Sequence, residues 1–272
     1  MEKQRGSYAQ GTLGEINDSE HQMVHEAINR YGEHYALATN TNVFLSLFMK
    51  SVSKDRHHFA AFFAHLKKHH LLAIFSTVRL HKIQSSMNLR QVLEVGALAA
   101  FAIANTADHH FVEYDAAGMV KFPQKLRRKI YDWLDKEFPA GSATIKTVKD
   151  ALNDHDTHAS LLAASQIFDV KPEEFSAPFF DYEDPHFVKT DLWRLADVGI
   201  GLLDLFYGVW KKHGGFVPID DFLPQINELS RRKEALKAEM MNTERYKNAM
   251  RLEAERKAQA AAKTVAPTPH LD

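Results

Sequence analysis

Helical periodicity is the feature that most narrows what this chain can fold into. Apolar residues recur at helical spacing along most of the 272 residues, and only 12 glycines and nine prolines interrupt them. No stretch alternates strictly between apolar and polar residues and ends in turn residues, as a half-buried strand would. The sequence therefore predicts an all-α helical bundle with a long, charged C-terminal helix.

The same pattern divides the chain into four parts. Residues 1–17 are predicted to be a flexible tail that ends at N-cap chemistry in residues 17–19. Residues 18–225 are predicted to form the bundle domain. Residues 226–263 are predicted to form the charged helix, and residues 264–272 a disordered tail.

The predicted C-terminal helix differs in composition from the bundle. Between Arg231 and Lys263 there are ten Lys or Arg residues against five Glu residues, so the helix has a net charge of +5. Its apolar residues form only a thin stripe, which is typical of a helix that docks on a neighbour or protrudes from a domain. Residues 226–263 are therefore predicted to pack on a neighbouring helix or a dimer mate, and they are a candidate contact for a protein partner. A basic arm for nucleic acid is the alternative, although the Glu residues dilute its charge.

Composition excludes several classes of protein. The net charge is −1, which gives no overall support for binding to RNA or to a membrane. Cysteine is absent, so there is no disulfide framework and no thiolate metal site. The N-terminus lacks the apolar core of a signal peptide, and the apolar run at 92–104 is too short to span a bilayer. We predict a cytoplasmic protein with no membrane contact, in which that run is a buried core helix.

The densest polar cluster lies at 153–158, with the sequence NDHDTH. His155 and His158 share a helix face, and Asp154 lies four residues before His158. Such residues suit acid–base chemistry, with His158 as the acid or base, Asp154 orienting it, and Asn153 and His155 contacting substrate. The alternative is an exposed polar stripe on an ordinary helix.

A second charged pair could complete this cluster. Arg90 and Glu94 are four residues apart in an otherwise apolar helix, and buried charges need partners. They could pair only with each other, as a structural clip. They could also reach the 153–158 cluster and bind substrate there, if the two helices pack together.

Other histidines are weaker candidates. His65 and His69 lie one turn apart, but two ligands do not make a metal site, and lysines stand between them. His70 and His81 fall on the apolar side and are predicted to be satisfied core residues. The loop clusters at 107–110 and 181–186 lack diagnostic spacing. We predict no metal site and no cofactor.

The arrangement of residues 65–210 resembles the HEPN superfamily of helical bundles. The resemblance rests on Leu89, Arg90, Leu93 and Glu94 as an LRxxLE pattern, followed by a helix whose NDHDTH matches the frame of the HEPN ribonuclease signature. In that frame Asp154 stands at the polar position and His158 at the histidine, while Asn153 replaces the family arginine. The resemblance implies a homodimer with an active groove at its interface, in the setting of prokaryotic defence.

Three functions remain open at this stage. The first is a dimeric interaction or scaffold protein, which the missing arginine and the absence of Walker, GxGxxG, GxSxG and HExxH motifs favour. The second is an RNA-directed phosphodiesterase that uses His158, with a metal-dependent variant in which His155 and His158 would bind the ion. The His155–Asp156 doublet, which also occurs in metal phosphohydrolases, is a separate and weaker indication. The third is a small-ligand or nucleotide sensor with a pocket formed by Arg90, Glu94 and the aromatic segment 177–187.

Overall fold

The computed structural model describes residues 11–155, 169–171, 174–176 and 178–265. Within these residues the protein is an all-α helical bundle with only short two-stranded sheets, which confirms the predicted fold class. The described helices are α1 (Leu13–Tyr31), α2 (Glu33–Leu47), α3 (His57–Val78), α4 (Lys82–Ala104), α5 (Leu126–Glu137), α6 (Pro139–His155), α7 (Pro185–His213), α8 (Phe222–Met241) and α9 (Glu244–Val265).

Short antiparallel strand pairs join parts of the described chain. They are β1 (Met49–Val52) with β6 (Phe216–Pro218), β2 (Glu113–Tyr114) with β3 (Val120–Lys121), and β4 (Asp169–Lys171) with β5 (Glu174–Ser176). The first pair ties the end of α2 to the end of α7. A helical periodicity search does not detect such strands, because each is only two to four residues long.

The α3–α4 hairpin is the centre of the fold. The two helices have 22 and 23 residues and run antiparallel. The helical pattern of residues 54–84 predicts a single helix that passes through this reversal, which is wrong: α3 ends at Val78, and Leu80 adopts a left-handed conformation with φ 60°. The amide of His81 then donates to the carbonyl of Ser76, 2.8 Å away, and closes the turn.

Helix α7 packs against α2, α3 and α4 through glycines that let backbones approach closely. A Cβ atom added at Gly96 of α4 would lie 2.6 Å from Leu202 Cδ2 on α7. One added at Gly199 of α7 would lie 2.6 Å from Thr41 Cγ2 on α2. Ordinary side chains at these two positions would therefore separate the helices.

The first helix begins earlier than predicted. Thr12, not residues 17–19, is the N-cap, and it forms a reciprocal capping box with Glu15. The Glu15 amide donates to Thr12 Oγ1 at 3.3 Å, and Glu15 Oε2 accepts from the Thr12 amide at 2.8 Å. Residues 13–17 of the predicted tail are therefore helical. Gly32, with φ 54°, then separates α1 from α2.

The predicted C-terminal helix is two helices. Residues 226–241 belong to α8, which begins at Phe222, and α9 starts only after Asn242 and Thr243. Helix α8 packs on α7, where Trp193 Nε1 donates to the carbonyl of Lys233 at 3.0 Å. Helix α9 extends to Val265, so the first two residues of the predicted tail 264–272 are helical and the rest lie outside the described residues.

By length and composition alone, α4 could cross a membrane, and no other helix in the described ranges passes that test. The core helix of a globular protein passes the same test, and 61% of the most apolar window of α4 is buried inside the bundle. The prediction that residues 92–104 form a core helix agrees with this burial.

His70 is a buried polar residue at the contact of α3, α2 and α7. Its Nε2 donates to the carbonyl of Leu195 at 3.0 Å, and its Nδ1 lies 3.1 Å from the side-chain amide of Asn42. Burial lowers the pKa of His70 to about 4, so the ring is neutral at pH 7. The atom 3.1 Å from Nδ1 is Oδ1 of Asn42, so the Asn42 amide must be turned over for its NH2 to donate to the unprotonated Nδ1. The prediction of a satisfied core histidine is confirmed at this position.

We predict a specific loss of stability in mild acid. The unfolded chain binds a proton at His70 near pH 6.5 and the folded chain only near pH 4, so acid favours unfolding. The stabilisation is complete above pH 6.5 and is lost as the pH falls to 4, by about 3 kcal/mol. Urea unfolding of the wild type and His70→Gln across this range measures it. Equal pH slopes for the two proteins would contradict the assignment.

Candidate functional site

The predicted meeting of two polar helices occurs between α4 and α6. Glu94 Oε1 lies 3.0 Å from Nζ of Lys149 on α6 and 3.3 Å from Nε of Arg90, one turn earlier on α4. Lys149 is one turn before Asn153 on the same helix. The charged pair of α4 therefore faces the helix on which the 153–158 cluster begins.

A third cation reaches the same carboxylate. Arg127 of α5 contacts Glu94 Oε2 at 3.2 Å, so three helices meet at one acidic residue. We call Arg90, Glu94, Arg127 and Lys149 the Glu94 junction. Burial would raise the pKa of Glu94, but hydrogen bonds and charge from Lys149 and Arg127 outweigh burial and lower it. Glu94 is therefore ionised at neutral pH, and the described charges of the junction sum to +2.

Counting only partners among the described residues, two polar atoms beside the junction are buried without a hydrogen bond. They are Oδ1 of Asn153 and the hydroxyl of Tyr131. Lys149 connects them, because it precedes Asn153 by one turn and its Nζ lies 5.4 Å from the centroid of the Tyr131 ring. Buried polar atoms usually have partners, so this pair marks a place where an additional hydrogen-bonding group would be stabilised.

The structure describes only part of the remaining predicted site residues. Asp154 and His155 are the last two residues of α6, but only their backbone is described. His158 lies outside the described residues. The catalytic roles assigned to His158 and Asp154, and the substrate contact assigned to His155, stay predictions.

An exposed apolar hairpin precedes the junction in sequence. Strands β2 and β3 pair Tyr114 with Val120, and Asp115 Oδ1 accepts from the amides of Ala117 and Met119 at 2.9 Å each. These bonds hold the turn firmly. Tyr114 is 71% exposed and Phe122, just after β3, is 53% exposed, as are Met119 and Val120 to a similar degree. The sequence predicted a loop here and missed this apolar surface.

Lys and Arg residues continue along the sequence from the β2–β3 hairpin into α5. Residues 121–137 contain six Lys or Arg residues and three Asp or Glu residues, a local net charge of +3 on a nearly neutral chain. The most exposed include Arg128 and Arg127. Lys121 and Lys125 flank Phe122 and are also exposed. We call Tyr114, Lys121, Phe122, Lys125 and Arg128 the hairpin surface; it leads directly to the Glu94 junction through Arg127.

The acidic aromatic segment packs on the turn between α3 and α4. The Asp181 amide donates to the carbonyl of Leu80 at 2.9 Å, and the Asp181 carboxylate accepts from the amide of Lys82. Two residues later, Glu183 is buried and bonds Arg30 and the hydroxyl of Tyr31 on α1. Burial, and then the charge of Glu183, raises the pKa of Tyr31. These contacts fix the segment in place.

A cavity of about 260 Å³ lies between this segment and the start of α7. Its walls combine the carboxylates of Asp181 and Asp191 with the rings of Tyr182 and Phe187. Burial raises the pKa of Asp181, and the hydrogen bond from the Lys82 amide, followed by the charges of His81 and Lys82, reverses this only in part. Among the described lining residues, neither Arg90 nor Glu94 is found, so the predicted pocket has its aromatic wall but not its charged pair.

One histidine group could hold a metal ion. Nε2 of His58 and Nε2 of His57 lie 2.9 and 3.3 Å from the same oxygen, Oδ1 of Asp108. The hydrogen bond from His58 is the largest cause that lowers the pKa of Asp108. The sequence held only a weak signal, two adjacent histidines at 57–58 and a DHH run at 108–110, and nothing in it placed these runs together.

Comparison of the chain with protein-family models, with curated proteins and with solved structures found no match. The resemblance to HEPN proteins is therefore neither supported nor opposed, and it stays a prediction.

We predict that neutralising Glu94 destabilises the bundle. Glu94→Gln leaves Arg90, Arg127 and Lys149 close together without their counter-charge, which we expect to cost about 1–3 kcal/mol of unfolding free energy. Urea unfolding at low and high salt measures it. Asp132→Asn is the matched control, because Asp132 pairs with Arg128 on the surface of α5 and such pairs contribute at most about 1 kcal/mol. Equal losses in both variants would contradict the role of Glu94.

Proposed function

We propose that the protein binds single-stranded RNA on the hairpin surface, with the Glu94 junction as the adjacent site for the phosphodiester chemistry predicted at His158. The observation that carries the proposal is the exposure of Tyr114 and Phe122 beside Lys121 and Lys125. Exposed aromatic rings stack on bases of any sequence, and flanking cations contact phosphates.

The exposed apolar side chains of the β2–β3 hairpin favour a binding partner at this surface. Contiguous exposed apolar side chains with polar residues at their rim mark interaction sites, whereas single exposed ones do not. The side chains of β2 and β3 lie on a hairpin whose turn is fixed by Asp115, so they are preorganised to stack. The local charge of +3 attracts a polyanion even though the whole chain is close to neutral.

The junction supports the chemical part of the proposal. Within the described part of the chain, three cations meet the single carboxylate of Glu94, and Asn153 Oδ1 beside them has no hydrogen bond to a described residue. Excess positive charge stabilises a phosphate in the transition state, which would offset the asparagine at the position of the family arginine. Hydrolysis itself rests on His158, whose role stays a prediction.

Fluorescence anisotropy with a labelled oligouridine tests binding. We expect Tyr114→Ala and Phe122→Ala each to weaken affinity roughly fivefold or more, because stacking contributes about 1–3 kcal/mol per base. Lys121→Gln with Lys125→Gln should weaken binding and lower the salt slope by about 0.7 for each phosphate that is no longer neutralised.

The control lies on the second basic region of the chain. Lys247→Gln with Arg251→Gln removes two exposed cations of α9 and should leave RNA affinity unchanged. Loss of binding in this variant, with the hairpin variants unaffected, would place the site on the C-terminal helix and contradict the proposal. So would wild-type binding to anionic lipid vesicles without binding to RNA. Incubation with RNA then shows whether bound RNA is also cleaved, and EDTA shows whether cleavage needs a metal ion. Cleavage should disappear in His158→Ala.

A second candidate function rests on the cavity beside Asp181. Its carboxylates and aromatic rings suit a small organic cation and oppose the phosphates of a nucleotide. The volume lies just below the range of about 300–1,000 Å³ that is typical of pockets for drug-sized ligands, so the ligand would be small. The small-ligand sensor predicted from the sequence would therefore bind a small amine rather than a nucleotide.

Thermal shift against aliphatic diamines and quaternary ammonium compounds tests this candidate, with ATP as the negative control. A ligand at a hundred times its Kd should stabilise the fold by about 2.7 kcal/mol. Asp181→Asn should abolish the shift, whereas Asp220→Asn, an exposed residue paired with Lys50, should not. Equal shifts in both variants, or no shift in the wild type, would remove the pocket as a ligand site.

The interaction role and the homodimer stay proposals without further support from the described residues. Partner contact through residues 226–263 would have to use the outer faces of α8 and α9, since Leu229 and Leu236 are buried.

A further inference from the structure

Three donor atoms from two distant parts of the chain meet at the open end of the α3–α4 hairpin. His57 and His58 are the first two residues of α3, and Asp108 starts a short 3₁₀ turn four residues after α4 ends. Because the helices are antiparallel and nearly equal in length, the start of the first lies beside the end of the second. His57 Nε2, His58 Nε2 and a carboxylate oxygen of Asp108 all lie within 4.8 Å of one another.

The spacing of these donors is close to what a metal ion requires. Bonds of about 2.0–2.2 Å to a tetrahedral zinc ion place ligand atoms about 3.3–3.6 Å apart. The observed separations from Asp108 Oδ1 are 3.3 Å for His57 and 2.9 Å for His58. The closer pair needs to open by only about half an ångström, which the exposed side chain of Asp108 can provide without moving the backbone.

The surroundings hold two of the ligands in position. The His58 ring lies 4.5 Å from the ring of Phe111, a buried core residue. The carbonyl of Asp108 accepts from the amides of Phe111 and Val112 at 2.8 and 2.9 Å, which fixes the turn that presents its carboxylate. Support of this kind around the ligands is a usual feature of metal sites in proteins.

The ligand set also restricts the metal. Two imidazoles and one carboxylate suit first-row transition cations, whereas Mg²⁺ and Ca²⁺ prefer oxygen ligands alone. His57 is 59% exposed and Asp108 is 75% exposed, so solvent can complete the coordination sphere. His110, although close in sequence, has its Nδ1 2.7 Å from Nζ of Lys129 and is engaged there.

We propose that His57, His58 and Asp108 bind a divalent transition-metal cation such as Zn²⁺, with at least one coordination position open to water. The site is separate from the hairpin surface and from the Asp181 cavity, and it does not depend on the RNA proposal.

Isothermal titration of the untagged full-length chain with Zn²⁺ after EDTA treatment tests the proposal. We expect one ion per chain in the tightest phase, with affinity at least tenfold weaker in His58→Gln and in Asp108→Asn. Co²⁺ should give visible absorption bands of nitrogen and oxygen coordination in the wild type that are lost in both variants. Mg²⁺ should not compete.

The matched control is another pair of neighbouring histidines in this chain. His21 and His25 on α1 are one turn apart, with Nε2 atoms 2.9 Å apart, but they lack a carboxylate in the group. His21→Gln with His25→Gln should leave the tightest phase unchanged. Loss of that phase in this control, or equal Zn²⁺ affinity in the wild type and in the folded His58→Gln and Asp108→Asn variants, would overturn the proposal. Circular dichroism verifies that each variant is folded.

Discussion

The reversal of the chain at Leu80 is the constraint on which the rest of the structure depends. It turns two helices of 22 and 23 residues back on each other, each about 33–35 Å long, so their far ends meet. The left-handed conformation of Leu80 has an energetic cost, since its side chain carries a Cβ. Burial of Leu80, the bond from the His81 amide to Ser76, and the amide of Asp181 on the Leu80 carbonyl offset that cost.

Each candidate site occupies a different position along this hairpin. At the closed end, Asp181 caps the turn between α3 and α4 and lines the cavity. In the middle, Glu94 of α4 faces outward to α5 and α6 and gathers the cations of the junction. At the open end, the first residues of α3 meet Asp108. The hairpin surface follows after that end of α4 in sequence, so one structural unit positions the hairpin surface, the Glu94 junction and the group of His57, His58 and Asp108.

Periodicity predicted what local sequence determines, namely the all-α class and the buried core helix at residues 92–104. It failed where helices end without glycine or proline, at Leu80 and at Asn242, because both endings are decided by tertiary contacts and capping. The cost of burying charge correctly indicated that Arg90 and Glu94 need partners: they pair with each other, and Glu94 also pairs with Lys149 and Arg127. The meeting of His58 with Asp108 spans 50 residues, and no spacing rule anticipates it.

The absence of cysteine from this chain allows a direct test of the hairpin. In His58→Cys with Asp108→Cys, a short bis-maleimide should link the two thiols within one chain, because the wild-type side chains are 2.9 Å apart. In His58→Cys with Arg79→Cys the labelled residues lie at opposite ends of α3, about 32 Å apart, and no intramolecular link should form. Mass spectrometry of the digested products measures both. We predict a link in the first pair alone. No link in the first pair, or a link in the second, would contradict the arrangement of α3 and α4 as a helical hairpin.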